Sequence, residues 1–508
     1  MRVRRARPLV ALHRAAMWIA ILSVTLAAGC AVLPPSASEP AATLEATPPA
    51  QAPAAHIVPS AAASVALPPA LRFRLDPGQD AERGDLWQRL RGGFALPDLE
   101  GDLVLKWEQF YAGKPDYVER MTARGSRYLF HILEEVDKRH MPAELALLPF
   151  IESAFNPQAM SRASASGMWQ FMPATGKDFE LRQNVFRDDR RGVLASTRAA
   201  LDYLKRLHAQ FGDWQLALAA YNWGQGNVQK ALASNQRAGL PADYASLRMP
   251  DETRNYLPKL QAMKNIVLRP ESFALVLPRL ENHPFFLTVA VDRDIDVTLA
   301  ARLAGLTLDE FQQLNPQMNK PVILAAGTPH LLLPYDNANR FVRELALHQG
   351  ALASWTAWVA PRTLKPEEAA QLVGMPEARL REVNLIPPRM LVKVGSTLLV
   401  PRGPQATADV PELLADHASM SLSPEARPPR RVSFKAGRQG DSVAAVAKRY
   451  HIGATEVARW NKVGPDARFK PGTAIVVMLP TATATAAAKA VTPRRKAHAQ
   501  PAARVAAR

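Results

Sequence analysis

The stretch Ala146-Leu147-Leu148-Pro149-Phe150-Ile151-Glu152-Ser153-Ala154-Phe155-Asn156-Pro157 decides how this chain is read. Leu145, Leu148, Glu152 and Phe155 recur at helical spacing, which puts a carboxylate on the stripe that packs inward. Burial disfavours the charged form and raises a carboxyl pKa, as a general acid working near neutral pH requires. The plainer alternative is a helix-face glutamate paired with an arginine. Pro142 suits the first turn of this helix, and Pro149 inside it predicts a bend beside the glutamate.

Helical patterning surrounds the stretch. It begins near Asp85-Leu86-Trp87 and resumes at Val104-Leu105-Lys106-Trp107. One long helix is expected from about Tyr117 to Arg139. Further on, Leu194, Leu201, Leu204, Leu207 and Phe211 form another apolar stripe, closed by Gly212. Asp213 can then cap a helix running from Trp214 to Tyr221, which stops at Asn222-Trp223-Gly224.

Four short segments stand out between 152 and 256: Glu152-Ser153, Gly167-Met168-Trp169-Gln170, Ala220-Tyr221-Asn222 with Gly224, and Glu252-Thr253-Arg254-Asn255-Tyr256. Each alone has an ordinary structural reading, as a turn, a helix end or a buried tyrosine. In this order they resemble the soluble lytic transglycosylase domain, which is related to goose-type lysozyme. The resemblance covers roughly 127 to 268. It implies Glu152 as catalytic acid and base, with Ser153 supporting its helix. It also implies Met168 and Gln170 lining a glycan groove, Tyr221 and Asn222 facing the reacting sugar, and Tyr256 hydrogen-bonding near the carboxyl. Trp169 departs from the smaller apolar residue usual in that family, which is expected to reshape the groove.

The C-terminal half holds a weak internal repeat. Its units contain Leu314-Asn315 and Gly327, Val383-Asn384 and Gly395, and Trp460-Asn461 and Gly472, so the asparagine-to-glycine step is 12, 11 and 11 residues. Each unit reads as strand, helix, helix, strand, with glycine turning the chain into the last strand. These units resemble LysM modules, small βααβ domains that bind N-acetylglucosamine-containing polymers. The third matches best; the first two lack the Gly440-Asp441 opening and are degenerate. The expected fold is therefore multidomain: a mainly α, lysozyme-like catalytic domain followed by small α+β (βααβ) LysM-like modules. The expected layout is a signal peptide over 1–29, a disordered Ala/Pro tether over 30–84, and a helical lead-in over 85–126. The catalytic domain follows over 127–268, the modules over 285–336, 353–402 and 431–480, and a basic disordered tail over 481–508.

The chain has 508 residues, 43 prolines and a net charge of +17. Met1-Arg2-Val3-Arg4-Arg5 followed by an apolar run from Ala15 to Ala28 reads as an export signal, too short to favour a spanning helix. It ends Leu26-Ala27-Ala28-Gly29-Cys30, and Cys30 is the sole cysteine, which excludes an internal disulfide. Small residues before a cysteine resemble a bacterial lipobox, which implies lipidation of Cys30. Ala31, rather than Asp, implies by the same resemblance a periplasmic protein anchored to the outer membrane. The signal argues against nucleic acid as the partner of the positive charge. Peptidoglycan strands and a membrane, reached through the lipid on Cys30, are the expected partners. The 11 histidines show no ligand spacing and no phosphate-binding glycine loop is present, so no metal or cofactor is expected.

Glycoside hydrolysis ordinarily uses two carboxylates. From Ser153 through Lys177 there is no Asp or Glu; Asp178, Glu180, Asp188 and Asp189 come later. Asp188 and Asp189 lie among Arg187, Arg190 and Arg191, where solvated ion pairs are expected. A single carboxyl suffices if the substrate supplies the nucleophile, as in 1,6-anhydro ring closure at N-acetylmuramic acid. The alternatives are a lysozyme-like hydrolase on the same fold and a non-catalytic wall-binding lipoprotein.

Overall fold

The computed structural model describes residues 84–403, 408–425 and 429–479. The expected signal peptide, Cys30, nearly all of the tether and the basic tail lie outside the described residues.

Eleven α-helices carry the first half of the described chain: α1 (Leu86–Gly92), α2 (Asp102–Ala112), α3 (Pro115–Gly125), α4 (Leu129–Lys138), α5 (Leu148–Ser153), α6 (Pro173–Asp178), α7 (Val193–Phe211), α8 (Trp214–Trp223), α9 (Gln225–Arg237), α10 (Asp251–Arg254) and α11 (Tyr256–Leu268). Their starts and stops follow local chemistry. Asp85 caps α1 by accepting from the Trp87 N–H, and Asp213 caps α8 by accepting from the Leu216 N–H at 2.8 Å. Gly212, at φ 68°, ends α7 as expected.

Two expectations are corrected. The long helix from 117 to 139 is broken into α3 and α4 at Gly125–Tyr128. Gly125 lies against the Phe155 ring, where an added Cβ would sit 3.1 Å from Cδ2, and the break lets Tyr128 stack on Phe155 at 6.3 Å. Pro149 does not bend a continuous helix either. A 3-10 segment, Ala143–Leu147, follows Pro142, and Pro149 occupies the first turn of the six-residue α5, where no backbone donor is needed. The apolar stripe is buried as expected: Leu145, Leu148 and Phe155 are sealed inside.

The core is shared along the chain. Leu86, Trp87 and Leu90 from α1 pack in one cluster with Leu148, Trp169, Leu204 and Met263, and so do Phe286, Leu314 and Leu332 from the first C-terminal unit. Buried Glu144 accepts from the backbone N–H groups of Ala95 (3.0 Å) and Leu96 (2.9 Å) and pairs with Lys264 at 3.0 Å, pinning the lead-in onto α11.

Each C-terminal unit closes its first strand on its last, antiparallel: Phe286–Ala290 with His330–Pro334, Trp355–Val359 with Thr397–Pro401, and Arg430–Lys435 with Ala474–Leu479. Two short helices lie between, as the repeat predicts. The repeated asparagine has the same task in all three. Asn315 receives the Leu332 N–H and donates to the Leu332 and Phe311 carbonyls; Asn384 treats Leu399 and Leu380 alike. Asn461 does so with Val476 and Val457. One amide side chain thus staples the second helix to the last strand.

The first unit and the short helix Glu412–His417, which follows the second, also grip the helical half. The Asp188 N–H donates to the Gln317 carbonyl (2.9 Å), Asn319 N–H to the Phe186 carbonyl (2.8 Å), and Asn184 Nδ2 to the Ala415 carbonyl (3.0 Å).

Candidate active site

The turn after α5 fixes where its last residues point. Ala154 (φ 52°) and Phe155 (φ 56°) are both left-handed without being glycine. The Phe155 N–H donates to the Pro149 carbonyl at 2.9 Å, and Arg124 Nε donates to the Ala154 carbonyl at 2.8 Å. Phe155 is wedged edge-on against Phe150 at 4.5 Å, so burial of the ring offsets the backbone strain. The helix therefore stops one turn after it starts, with Glu152 on its final turn. Ser153 Oγ donates to the Met168 carbonyl at 3.0 Å, tying α5 to the loop beneath it.

Glu152 keeps part of its surface open, yet its carboxyl is surrounded by protein. Burial raises its pKa to about 7; the Tyr256 hydrogen bond and the positive Lys259 oppose the rise, and the negative Glu252 adds to it. Tyr256 Oη donates to Glu152 Oε1 at 2.5 Å. Burial, followed by the Glu152 charge, pushes the Tyr256 and Tyr221 hydroxyls well above their ordinary pKa, so both stay protonated donors. Tyr221 spends its proton on the Trp169 carbonyl, at 2.9 Å.

The four segments do converge on one place, although not every side chain faces outward. Met168 and Trp169 are both 0% exposed, so neither presents its side chain to a groove. Met168 contributes its carbonyl to Ser153. Trp169 donates from Nε1 to Thr197 Oγ1 at 3.1 Å inside the core, which corrects the expectation that it reshapes the groove. Gln170 is half-buried and left-handed (φ 50°), and its Nε2 folds back on the Gly167 carbonyl at 2.8 Å. Asn222, also half-buried, accepts from Thr253 Oγ1 at 2.8 Å, joining the end of α8 to α10.

The loop carrying Gly167 is clamped from below. Gly167 has φ 84°, and a Cβ there would lie 2.1 Å from the Arg190 carbonyl oxygen. Arg190 donates to the carbonyls of Ser164 (2.6 Å) and Phe171 (3.2 Å) and grips Asp188 through Nε (2.9 Å) and Nη2 (2.7 Å). Both partners are buried, so the expectation of a solvated pair here is corrected: the carboxylate is needed to neutralise a guanidinium that holds two buried carbonyls. Asp189, with Arg187 at 3.2 Å, is likewise largely enclosed. The acid whose field reaches Glu152 is instead the exposed Glu252.

Sequence reasoning missed Lys259 and Arg190. Lys259 lies three residues after Tyr256 on α11 and shares its face, a spacing that is visible in the sequence. Nothing local distinguishes Arg190 from its neighbours Arg187 and Arg191.

Residues 131–240 match the transglycosylase SLT domain, 285–350 the LysM-like domain of lytic transglycosylase MltD, and 438–477 the LysM domain. Membrane-bound lytic murein transglycosylase D of Escherichia coli K12 is 30% identical over 404 residues, covering 77% of this chain and 85% of that protein. A putative tributyltin chloride resistance protein of Alteromonas sp. strain M-1 is 37% identical over 172 residues, 34% of this chain and 81% of its own. Among solved structures, an inactive mutant of lytic transglycosylase Slt from Pseudomonas aeruginosa aligns at 23% identity and TM-score 0.22, covering 29% of this chain and 24% of that one. The 70 kDa soluble lytic transglycosylase of Escherichia coli aligns at 20% identity and TM-score 0.23, over 33% and 30%. The extent of the likeness to the murein transglycosylase, together with the SLT and LysM matches, means that this chain belongs to the membrane-bound lytic murein transglycosylase D family and is a peptidoglycan lytic transglycosylase.

Proposed function

We propose that Glu152 alone supplies both proton transfers of this reaction. Protonated at the start, it gives its proton to the β-1,4 glycosidic oxygen between N-acetylmuramic acid and N-acetylglucosamine, and the C1–O bond breaks. The acetamido oxygen of the muramic sugar stabilises the positive C1. Glu152, now a carboxylate, takes the proton of the C6 hydroxyl as that oxygen closes on C1, leaving a 1,6-anhydro end and a regenerated acid. The intramolecular attack benefits from high effective concentration. The observation that carries this reading is an enclosed carboxyl that accepts from the Tyr256 hydroxyl at 2.5 Å, with burial pushing its pKa up to about 7. Such a group is half-protonated near neutrality and is steadied in its charged state.

Tyr256 is the positioning donor, and Ser153 anchors α5. Tyr221, Asn222 and Gln170 border the sugar site, while Met168 shapes it from beneath through its main chain. Digesting wall sacculi and weighing the products tests the chemistry. Anhydro-muramic ends are expected from the native protein and none from Glu152→Gln; reducing muramic ends would refute the intramolecular route in favour of hydrolysis.

We further propose that Cys30, the sole cysteine, carries a lipid that anchors the protein to the outer membrane on its periplasmic side, after removal of 1–29. The small residues Leu26-Ala27-Ala28-Gly29 directly before Cys30 support this reading; among the described residues no helix is long and apolar enough to cross a membrane. Metabolic labelling with a fatty acid, lost in Cys30→Ser, is the test.

A further inference from the structure

Beside the Glu152 site, outside the residues matched by the SLT domain, the exposed edge of α2 bears an aromatic and cationic patch. Trp107 and Phe110 meet edge to face at 5.1 Å, and Phe110 is 37% exposed. Three ammonium groups lie over these rings: Lys114 over Phe110 at 4.1 Å, and Lys259 and Lys106 over Trp107 at 4.7 and 5.7 Å. Among the described residues, none of the three has a carboxylate within ion-pair distance. The patch adjoins the catalytic carboxyl. Trp107 Nε1 donates to Asn255 Oδ1 at 2.9 Å, Asn255 directly precedes Tyr256, and the field of Lys259 is felt at Glu152.

Ring contacts of this kind are weak at an exposed site, and a carboxylate offers each ammonium a stronger, charge-assisted partner. The backbone sugars of peptidoglycan are uncharged while the lactyl carboxyl of N-acetylmuramic acid is in amide linkage to its stem. The stem peptide on the lactyl group of N-acetylmuramic acid carries several free carboxylates and apolar alanine methyls. We propose that Lys106, Trp107, Phe110 and Lys114, with Lys259 at the inner end, form a subsite for the stem peptide, so that the enzyme favours peptide-bearing strands over stripped ones. The lysines take the stem carboxylates while its methyls lie against the two rings. This inference rests on Glu152 being the reacting centre.

The test compares the full-length protein with the double variant Lys106→Gln/Lys114→Gln. Both side chains are exposed and neither belongs to the catalytic machinery. The two substrates are peptide-bearing glycan strands and the same strands stripped by an amidase. On peptide-bearing strands KM is expected to rise about fivefold to tenfold with kcat nearly unchanged, and the difference to shrink with added salt. On stripped strands, which keep only the lactyl carboxylate, KM is expected not to move. Equal losses on both substrates, or no loss on either, overturns the proposal. Glu152→Gln is measured in parallel: if it stays active the catalytic assignment fails, whereas a dead Glu152→Gln beside an unaffected lysine variant removes only the stem subsite.

Discussion

The Tyr256 hydroxyl reaches Glu152 Oε1 at 2.5 Å across 104 residues of chain. This contact brings α11 onto α5 at the carboxyl proposed to exchange the proton. The bond favours the charged carboxylate, so it sets how far burial lifts the glutamate's pKa.

Tyr256→Phe removes that donor and keeps the ring. The Glu152 pKa then rises further above 7. Because the first step needs the acid form, the falling limb of kcat/KM against pH should shift upward, while kcat drops roughly tenfold to a hundredfold as the carboxyl loses its orientation. A pH–rate profile on sacculi checks both; an unmoved limb contradicts the role given to Tyr256.

Stability should depend on pH through the same residue. Glu152 binds its proton more tightly folded, at about 7, than unfolded, at its ordinary 4.5. Its contribution is fully present below pH 4.5 and is lost as pH rises through 7. Glu152→Gln stays neutral throughout. The variant should melt at a higher temperature than the native protein at pH 8, and the gap should narrow at pH 5. Thermal unfolding at the two pH values reads this directly.

Gly167→Ala is expected to be the most damaging small substitution near the site. It forces a Cβ to 2.1 Å from a main-chain oxygen that cannot retreat without releasing Arg190. A cost of about 3 kcal/mol or more follows from the clash and the left-handed backbone together. Denaturant titration measures it, and activity should fall with it because Ser153 hangs from the next carbonyl, that of Met168.

Removing a staple from one module should loosen that module. Asn461→Ala leaves the Val476 N–H and the carbonyls of Val457 and Val476 without their side-chain partner, at about 2–3 kcal/mol. Amide hydrogen exchange should quicken within 430–479 and stay unchanged around α5 and α11.

What was legible in the sequence was local or periodic. Glu152 betrayed itself as an acid on an apolar stripe, Asp213 as a cap before a helix, and Asn461 by its fixed step to Gly472. What was hidden depended on partners far along the chain. Helical periodicity runs through Gly125, and the break there lies against the rings of Phe155 and Phe150, some thirty positions on. Trp169 looked like a groove residue until Thr197 claimed its indole. The burial of Asp188 with Arg190 follows from two carbonyls, at Ser164 and Phe171, that no motif announces.

The loop from Asn184 to Asp188 borrows its backbone partners from Gln317, Asn319 and Ala415, and the helical core fills itself with Phe286, Leu314 and Leu332. The catalytic half is therefore not a cassette that can be excised. A version cut after α11 would expose apolar side chains and orphan the loop whose Asp188 pairs with Arg190, the residue that clamps the Ser164 and Phe171 carbonyls. Any attempt to trim this enzyme to a minimal lytic fragment must carry the C-terminal partners of that loop with it, through Ala415.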